Sequence, residues 1–347
     1  MAYTTIDSPK KYFEAKTYTG TGSSQSITGL SFSPDFVWIK NRSGANSHGL
    51  VTSLVNTRYA LDTSATSGEV DFGTSGVTSL NSDGFTVATH PVYNSSSNNY
   101  ISWNWDANGA GSSNTSGTIT STVSANTTSG FSIVSWTGNA SNSTVGHSLG
   151  TTPSMIIVKN RSAVEAWIVY HSTLGNTKFL ELSATDATQT SSTIWNNTSP
   201  TSTLFTVGTN SKVNGNTNSM IAYCFAEVKG FSKAFSYTGN GSSDGTYVHL
   251  GFRPAWIIIK KSDGSVQNWV IHDSKRSAYN LSQNKLFANL SDAEDTGGTN
   301  YNLDILSNGF KLRSSNSDVN SSGGAYIGFA VAENPFVSSK GVSVTAR

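Results

Sequence analysis

The chain has 347 residues, of which only 12% are charged, and its formal net charge is +1. An average globular protein has about 25% charged residues. Nucleic-acid binding needs clustered Lys and Arg, and the densest clusters here are adjacent pairs such as Lys275 and Arg276, which argues against a nucleic-acid partner. No apolar run approaches the roughly 18 residues that cross a membrane, which argues against membrane insertion.

The chain contains a single cysteine, Cys224, so no intrachain disulfide can form. Residues 1–6 lack a basic segment followed by an apolar one, and we therefore expect no secretory signal. Both features predict synthesis in a reducing compartment. Aromatic and β-branched residues dominate the apolar content, and good helix formers never recur at helical spacing, which favours strands over long helices.

One motif occurs three times along the chain. It consists of a proline, a short apolar run, and a lysine six residues after the proline. The copies run from Pro34 to Lys40, from Pro153 to Lys159 and from Pro254 to Lys260, and successive copies are 119 and 101 residues apart. This spacing exceeds the period of roughly 20–50 residues that is typical of solenoids, and it indicates repeats of domain size.

The first unit contains several short apolar or alternating runs that predict strands, separated by turn residues. Asp83-Gly84 supplies the positive φ angles of a tight hairpin. The predicted segments are a strand at 13–18, a buried strand at 36–39, a hairpin at 80–87 and a closing strand at 100–105.

Residues 109–130 are rich in Gly, Ser, Thr and Asn, and this composition predicts a linker between the first and second units. Residues 118–123 within it alternate in character and could instead pair as an edge strand. The second unit repeats the order of the first, with strands predicted at 131–136, 155–158, 167–170, 179–182, 204–207 and 220–225. The third has strands predicted at 256–259, 269–271 and 326–331, with a hairpin at 306–312.

Seven to eight short strands per unit predict an all-β fold of three tandem antiparallel β-sandwich, jelly-roll-like domains. The predicted boundaries are 1–108, 131–229 and 230–337, with 109–130 as the linker and 338–347 as a tail. The first unit departs from the pattern, because His48-Gly49 stands where the other units have Trp167 and Trp269.

Tyr/Trp-Thr-Gly and the proline–strand–lysine motif recur in all three units, Asp/Asn-Gly-Phe occurs in the first and third, and the closing strand begins Tyr-Ile in those two and Met-Ile in the second. This combination resembles repeat domains in virion proteins of tailed bacteriophages, especially marine and cyanobacterial phages. The resemblance covers about residues 11–337. It implies a structural protein of a phage particle, made in the host cytoplasm, and it supplies no catalytic residues.

The sequence offers few candidate sites. No histidine spacing suggests zinc, and no Gly-x-Ser-x-Gly motif suggests a nucleophile, so we expect no metal, no cofactor and no enzymatic activity. Asp292, Glu294 and Asp295 could form a surface calcium site or simply a solvated loop. The recurrent tryptophans 38, 136, 167, 256 and 269 are most simply core residues. Three aromatics in predicted loops are the candidates for stacking on sugars, with domain packing as the alternative: Tyr93, Trp195 and Tyr279.

Three functions remain open at this point. The first is a tail fibre or adhesin that contacts host surface glycans through many copies, as a homo-oligomer and most simply a trimer. The second is a capsid decoration or tail-scaffold protein whose partners are only other virion proteins. The third, a polysaccharide depolymerase, has no residue pattern in its favour.

Overall fold

A computed structural model of the protein describes residues 3–264 and 266–344, and its fold is all-β with antiparallel sheets, as predicted. Helical structure within these residues is limited to single turns. They are a 3-10 turn at Pro9–Lys11 and the α-helical turns α1 (Pro91–Asn94), α2 (Ser192–Trp195), α3 (Ser211–Asn214) and α4 (Ser317–Asn320).

Unit 1 comprises residues 13–105 and forms a four-stranded sheet in the order β1-β9-β3-β4, a three-stranded sheet β2-β8-β7 and a pair β5-β6. The predicted hairpin at 80–87 is confirmed, since Asn81 pairs with Gly84. The strands are β1 (Phe13–Thr19), β2 (Gln25–Ile27), β3 (Phe36–Asn41), β4 (Gly49–Thr52), β5 (Tyr59–Ala60), β6 (Val70–Asp71), β7 (Val77–Asn81), β8 (Gly84–Val87) and β9 (Asn99–Trp105).

Unit 2 comprises residues 112–226 and has an eight-stranded sheet, β10-β11-β12-β19-β14-β15-β16-β17, and a pair β13-β18. Its strands are β10 (Ser112–Asn114), β11 (Ser121–Asn126), β12 (Phe131–Thr137), β13 (Ser143–Gly146), β14 (Pro153–Asn160), β15 (Ile168–His171), β16 (Lys178–Glu181), β17 (Gln189–Thr190), β18 (Leu204–Val207) and β19 (Ser219–Ala226).

The linker predicted at 109–130 is wrong in its interior, because β10 and β11 lie there and extend the large sheet of unit 2. Strand β11 pairs along the whole of β12, from Ser121 opposite Trp136 to Asn126 opposite Phe131. Strand β10 is at the edge of this sheet, and its Ser112, Ser113 and Asn114 are small polar residues that would also suit a linker. Composition alone could not separate such a strand from a linker.

Unit 3 comprises residues 232–335 and has a five-stranded sheet, β20-β27-β22-β23-β24, and a three-stranded sheet, β21-β26-β25. Its predicted hairpin is confirmed, since Leu306 pairs with Gly309. The strands are β20 (Ser232–Thr238), β21 (Tyr247–His249), β22 (Phe252–Lys261), β23 (Trp269–Asp273), β24 (Leu286–Phe287), β25 (Leu303–Leu306), β26 (Gly309–Leu312) and β27 (Ala325–Pro335). Of the predicted tail, residues 345–347 lie outside the described part.

The proline–strand–lysine motifs form β3, β14 and β22, and every residue of β3 and β14 is buried. Successive side chains of a strand point to opposite faces. In β3, Val37 and Ile39 join a core with Phe85 of the small sheet of unit 1, whereas Phe36 and Trp38 join a second core. Continuous burial therefore arises because both faces of the strand are covered.

The second core is shared by all three units. Its aromatic rings meet across each pair of units, and the ring-centroid distances are 4.4 Å for Phe36–Tyr223, 5.5 Å for Trp105–Trp256 and 5.3 Å for Phe225–Phe329. The large sheets of the three units thus pack against one another around common apolar contacts. The expectation that each unit is a separate domain stays a prediction.

Candidate functional site

The three aromatics predicted to stack on sugars lie in different environments. Tyr93 is 0% exposed and Trp195 is 2% exposed, so neither presents a ring face to a ligand. Tyr93 packs in the core of unit 1, and Trp195 donates its Nε1–H to the carbonyl oxygen of Lys178 at 3.1 Å. Tyr279 is 78% exposed, and its role in sugar contact stays a prediction. The structure does not bring the three together, since each belongs to a different unit.

The acidic cluster at 292–295 is engaged in ion pairs. Glu294 accepts hydrogen bonds from Arg42 of unit 1 and Arg276 of unit 3, and Asp295 pairs with Lys285 at 2.7 Å. Within residues 3–264 and 266–344, no group of three or more His, Cys, Asp and Glu side chains is arranged to hold a metal ion. The alternative of a calcium site therefore finds no ligand set there.

The motif lysines lie at the junctions between units. Lys40, Lys159 and Lys260 are each fully buried. Lys159 donates from Nζ to the carbonyl oxygen of Glu165 in its own unit at 2.6 Å and to that of Thr66 in unit 1 at 3.0 Å. We call this contact junction 2/1, naming first the unit that contributes the lysine.

The other two lysines repeat this arrangement. Lys40 donates to the carbonyl oxygen of Asn46 in its own unit at 2.8 Å and to that of Ser291 of unit 3 at 2.9 Å, at junction 1/3. Lys260 donates to the carbonyl oxygen of Gln267 and to that of Thr185 of unit 2 at 2.7 Å, at junction 3/2. Each unit therefore holds a loop of a different neighbour, and the three junctions close into a ring.

Burial lowers the pKa of Lys40, Lys159 and Lys260 to about 8 in each case, because the ammonium loses its water. The carbonyl oxygens replace part of that hydration. An interior lysine is stable only with such partners, which explains why the lysine recurs at the end of every central strand. The sequence marked these residues as part of the fold, and their role in joining units depends on contacts that it does not reveal.

A second contact supports each junction. The indole N–H of Trp167 donates to the carbonyl oxygen of Asp62, and that of Trp269 donates to that of Glu181, both at 2.9 Å. His48 occupies the equivalent position in unit 1, and its Nε2 lies 3.0 Å from the carbonyl oxygen of Phe287. The departure seen in the sequence at His48 is thus a substitution of imidazole for indole at junction 1/3.

Two junctions also contain an arginine–glutamate ion pair. At junction 2/1, Arg161 contacts Glu69 at 2.7 Å, and at junction 1/3, Arg42 contacts Glu294 at 2.7 Å. In both cases the backbone N–H of the glutamate donates to the carbonyl oxygen of the arginine, at 2.8 and 2.9 Å. In each ion pair, the arginine and the glutamate are therefore also joined by a backbone hydrogen bond between the two units.

Junction 3/2 keeps the backbone contact but not the ion pair. Thr188 donates from its backbone N–H to the carbonyl oxygen of Ser262 at 3.0 Å and from Oγ1 to the same oxygen at 2.6 Å. Ser262 stands in the place of Arg42 and Arg161. Two short side chains thus replace two long ones at this junction.

A groove opens where the longer side chains are missing. Its volume is about 590 Å³. At junction 2/1, the cavity that Arg161 and Glu69 line measures about 10 Å³. The groove is lined by Thr173, Leu174, Lys178 and Thr188 of unit 2 and by Ser236, Tyr237, Thr238, Ser262, Asp263, Ala325, Tyr326 and Ile327 of unit 3.

The sequence carries a signal for this site that repeat comparison could have used. Residues 41–43 and 160–162 both read Asn-Arg-Ser, whereas residues 261–263 read Lys-Ser-Asp. The search for aromatics in predicted loops missed the groove, because its two tyrosines, Tyr237 and Tyr326, lie in strands β20 and β27. The deviation of one repeat from its two sisters is what indicates the position.

Over residues 8–335 the chain matches a family described as Domain of unknown function (DUF7483). The chain belongs to this family. No curated protein matches it. In the described ranges, none of the helices of this family member is long and apolar enough to cross a membrane.

Proposed function

We propose that this DUF7483 protein is a structural component on the surface of a bacteriophage particle, and that it contacts host surface glycans as part of a tail fibre or related adhesin. The phage assignment rests on the resemblance of the repeated motifs. The adhesin role is supported by the hydroxyl-lined groove at junction 3/2.

The structural role is supported by the contacts that the repeated lysines make. Lys40, Lys159 and Lys260 all lie in the interior and bind carbonyl oxygens of a neighbouring unit. Side chains that recur in every unit thus hold the units together, which is what a rigid extracellular scaffold requires. Residues that differ between units are left to contact ligands.

The ring of junctions also bears on assembly. One chain already supplies three similar units in a closed arrangement, which a homotrimer would otherwise provide. In this proposal the chain joins other virion proteins as a single three-unit body, and further copies increase avidity for the glycan.

The test is to locate the protein in the particle and to measure its binding. Antibodies against the purified chain, imaged by immunogold electron microscopy, are expected to label the tail, and the purified chain is expected to bind host cells. Labelling confined to the capsid shell, with no binding to cells, would favour the decoration role and rule out the adhesin. Absence of label from intact particles would remove the surface assignment.

A further inference from the structure

We infer that the groove at junction 3/2 is a binding site for a short segment of an uncharged saccharide; this inference rests on the proposed function and assigns it a place. Its volume of about 590 Å³ lies within the roughly 300–1,000 Å³ that is usual for small-molecule sites.

The lining has the chemistry that a polyhydroxylated ligand needs. Thr173, Ser236 and Thr238 are exposed at the groove and present hydroxyl groups. A hydroxyl both donates and accepts hydrogen bonds, so it can pair with a sugar hydroxyl in either direction. Leu174 is half-buried and adds aliphatic surface on which the C–H face of a sugar ring can rest.

The charges in the groove balance. Lys178 is the cation and Asp263 the anion among its lining residues, and both are exposed. A site for phosphate or another anion would carry surplus cations. One carboxylate and one ammonium instead offer a strong acceptor and a strong donor to a neutral ligand, and this balance favours an uncharged saccharide over an anionic one.

The comparison of junctions explains why the groove lies at junction 3/2 and not at junction 2/1. Arg161 and Glu69 stand at the equivalent positions of junction 2/1 and form an ion pair, and the cavity that they line measures about 10 Å³. Ser262 and Thr188 leave the groove open at junction 3/2 while preserving the backbone contact between the units. The ligand site is therefore a consequence of two side-chain differences within a repeated framework.

The experiment fills the groove with side chains that the fold already accepts elsewhere. The double variant Ser262→Arg/Thr188→Glu installs the ion pair of junction 2/1 at junction 3/2. The probe is a set of bacterial surface oligosaccharides on an array, followed by titration calorimetry with each oligosaccharide that binds the wild type. We expect the double variant to lose at least roughly tenfold in affinity while its melting temperature stays at or slightly above that of the wild type.

A second variant and a second measurement serve if the double variant does not fold. Asp263→Asn removes an acceptor without filling the space, and we expect it to weaken binding several-fold. Hydrogen–deuterium exchange on the wild type is expected to show protection at residues 236–238 and 325–327 when the oligosaccharide is added.

The outcomes separate the two proposals. Unchanged affinity in the folded double variant, or protection that appears only outside the groove, would overturn the groove assignment and leave glycan contact at another surface standing. If the folded wild type binds no saccharide on the array and no host cells, the adhesin function fails together with the groove.

Discussion

Junctions 2/1 and 3/2 share a backbone frame and differ in the side chains placed on it. Both have a buried lysine bound to carbonyl oxygens of two units and an indole N–H that donates across the boundary. Junction 2/1 adds an arginine–glutamate pair, and junction 3/2 has Ser262 and Thr188 instead. The common contacts hold the ring together, and the differing contacts decide whether a groove exists.

The difference between the two junctions indicates which of their residues can be replaced at little cost in stability. A buried ammonium without its carbonyl partners is costly, so the lysine and the loop that receives it depend on each other. A partly exposed ion pair contributes little to stability, so its replacement costs little and opens space. A groove can therefore open at one junction without weakening the ring of units.

The largest effect is expected at the shared core, which neither junction can replace. Trp256 is 1% exposed and its ring contacts Trp38, Trp103 and Trp105 of unit 1. The change Trp256→Ala leaves a cavity among these rings, and we expect the free energy of unfolding to fall by roughly 3–5 kcal/mol. Urea unfolding followed by fluorescence and by circular dichroism measures the loss.

The shape of that transition tests how far the units depend on one another. Because the core is shared, both probes are expected to shift together for Trp256→Ala. Two separated transitions, with only one moved by the substitution, would show that unit 3 unfolds independently and would support three separate domains.

The all-β fold, both hairpins and the three central strands were predictable, because apolar periodicity and Asp-Gly or Asn-Gly turns are local signals. The sharing of one hydrophobic core by all three units was not predictable. Trp38 and Trp256 stand at different distances from their lysines, yet an offset of two residues keeps both on the same strand face. Which sheet faces which neighbour depends on packing between distant segments, and no local pattern reports it.

The candidate site was less accessible to sequence reasoning than the fold. Tyr93 follows a predicted strand and stands near polar residues, which favours a loop, but it lies in α1, a helical turn that directs it into the core. The groove lies between unit 2 and unit 3, so its two walls come from segments about fifty residues or more apart, such as Thr188 and Ser236. The wall from unit 3 contains Tyr237-Thr238 and Tyr326-Ile327, which belong to motifs shared with the other units and so do not mark this position in the sequence.

The second-largest loss of stability is expected at low pH. It comes from His48 at junction 1/3, where an imidazole replaces the indole of the other junctions. Burial, with a smaller contribution from the charge of Lys40, lowers the pKa of His48 to about 4. The usual value is about 6.5 in an unfolded chain. The unfolded state therefore takes up a proton first as pH falls, so the stabilisation from neutral His48 is complete above pH 6.5 and is lost as pH falls towards 4. The loss reaches up to about 3 kcal/mol.

A variant that copies residues of a sister unit isolates this contribution. Trp38→Ile/His48→Trp gives unit 1 the residues found at the equivalent positions of unit 2, Ile157 and Trp167. Unfolding free energies at pH 7.5, 5.5 and 4.5 are expected to fall less steeply in the double variant than in the wild type. Parallel curves would show that His48 does not control the acid response, and would direct attention to His171, whose pKa burial also lowers to about 4.

A smaller loss of unfolding free energy is expected when Lys159 or Lys260 is replaced, and the loss should be equal at the two junctions. Lys159→Met and Lys260→Met each leave carbonyl oxygens of two units without their donor, at a cost of roughly 1–3 kcal/mol. Chemical denaturation is expected to give the same loss for both, because the ring uses the two lysines in the same way. A large loss for Lys159→Met with none for Lys260→Met would show that junction 3/2 is held by other contacts.

The smallest change in stability is expected from the arginine–glutamate pair, which is present at junction 2/1 and absent from junction 3/2. Arg161 and Glu69 have side chains that are 14% and 24% exposed, so their pair is expected to contribute about 1 kcal/mol. Arg161→Ser/Glu69→Thr should lose that amount, and Ser262→Arg/Thr188→Glu should gain a similar amount, because each converts one junction into the other.

The two exchanges lie at different junctions, so their effects should add, and the four-residue combination should unfold near the wild-type midpoint. If instead Ser262→Arg/Thr188→Glu lowers stability, the space at junction 3/2 is not equivalent to the one that Arg161 fills, and the groove is a different cavity rather than an opened copy. If Arg161→Ser/Glu69→Thr gains a saccharide site at junction 2/1, then vacant space on this frame is sufficient for binding; if it gains none, Lys178 and Asp263, which junction 2/1 lacks, supply the selectivity.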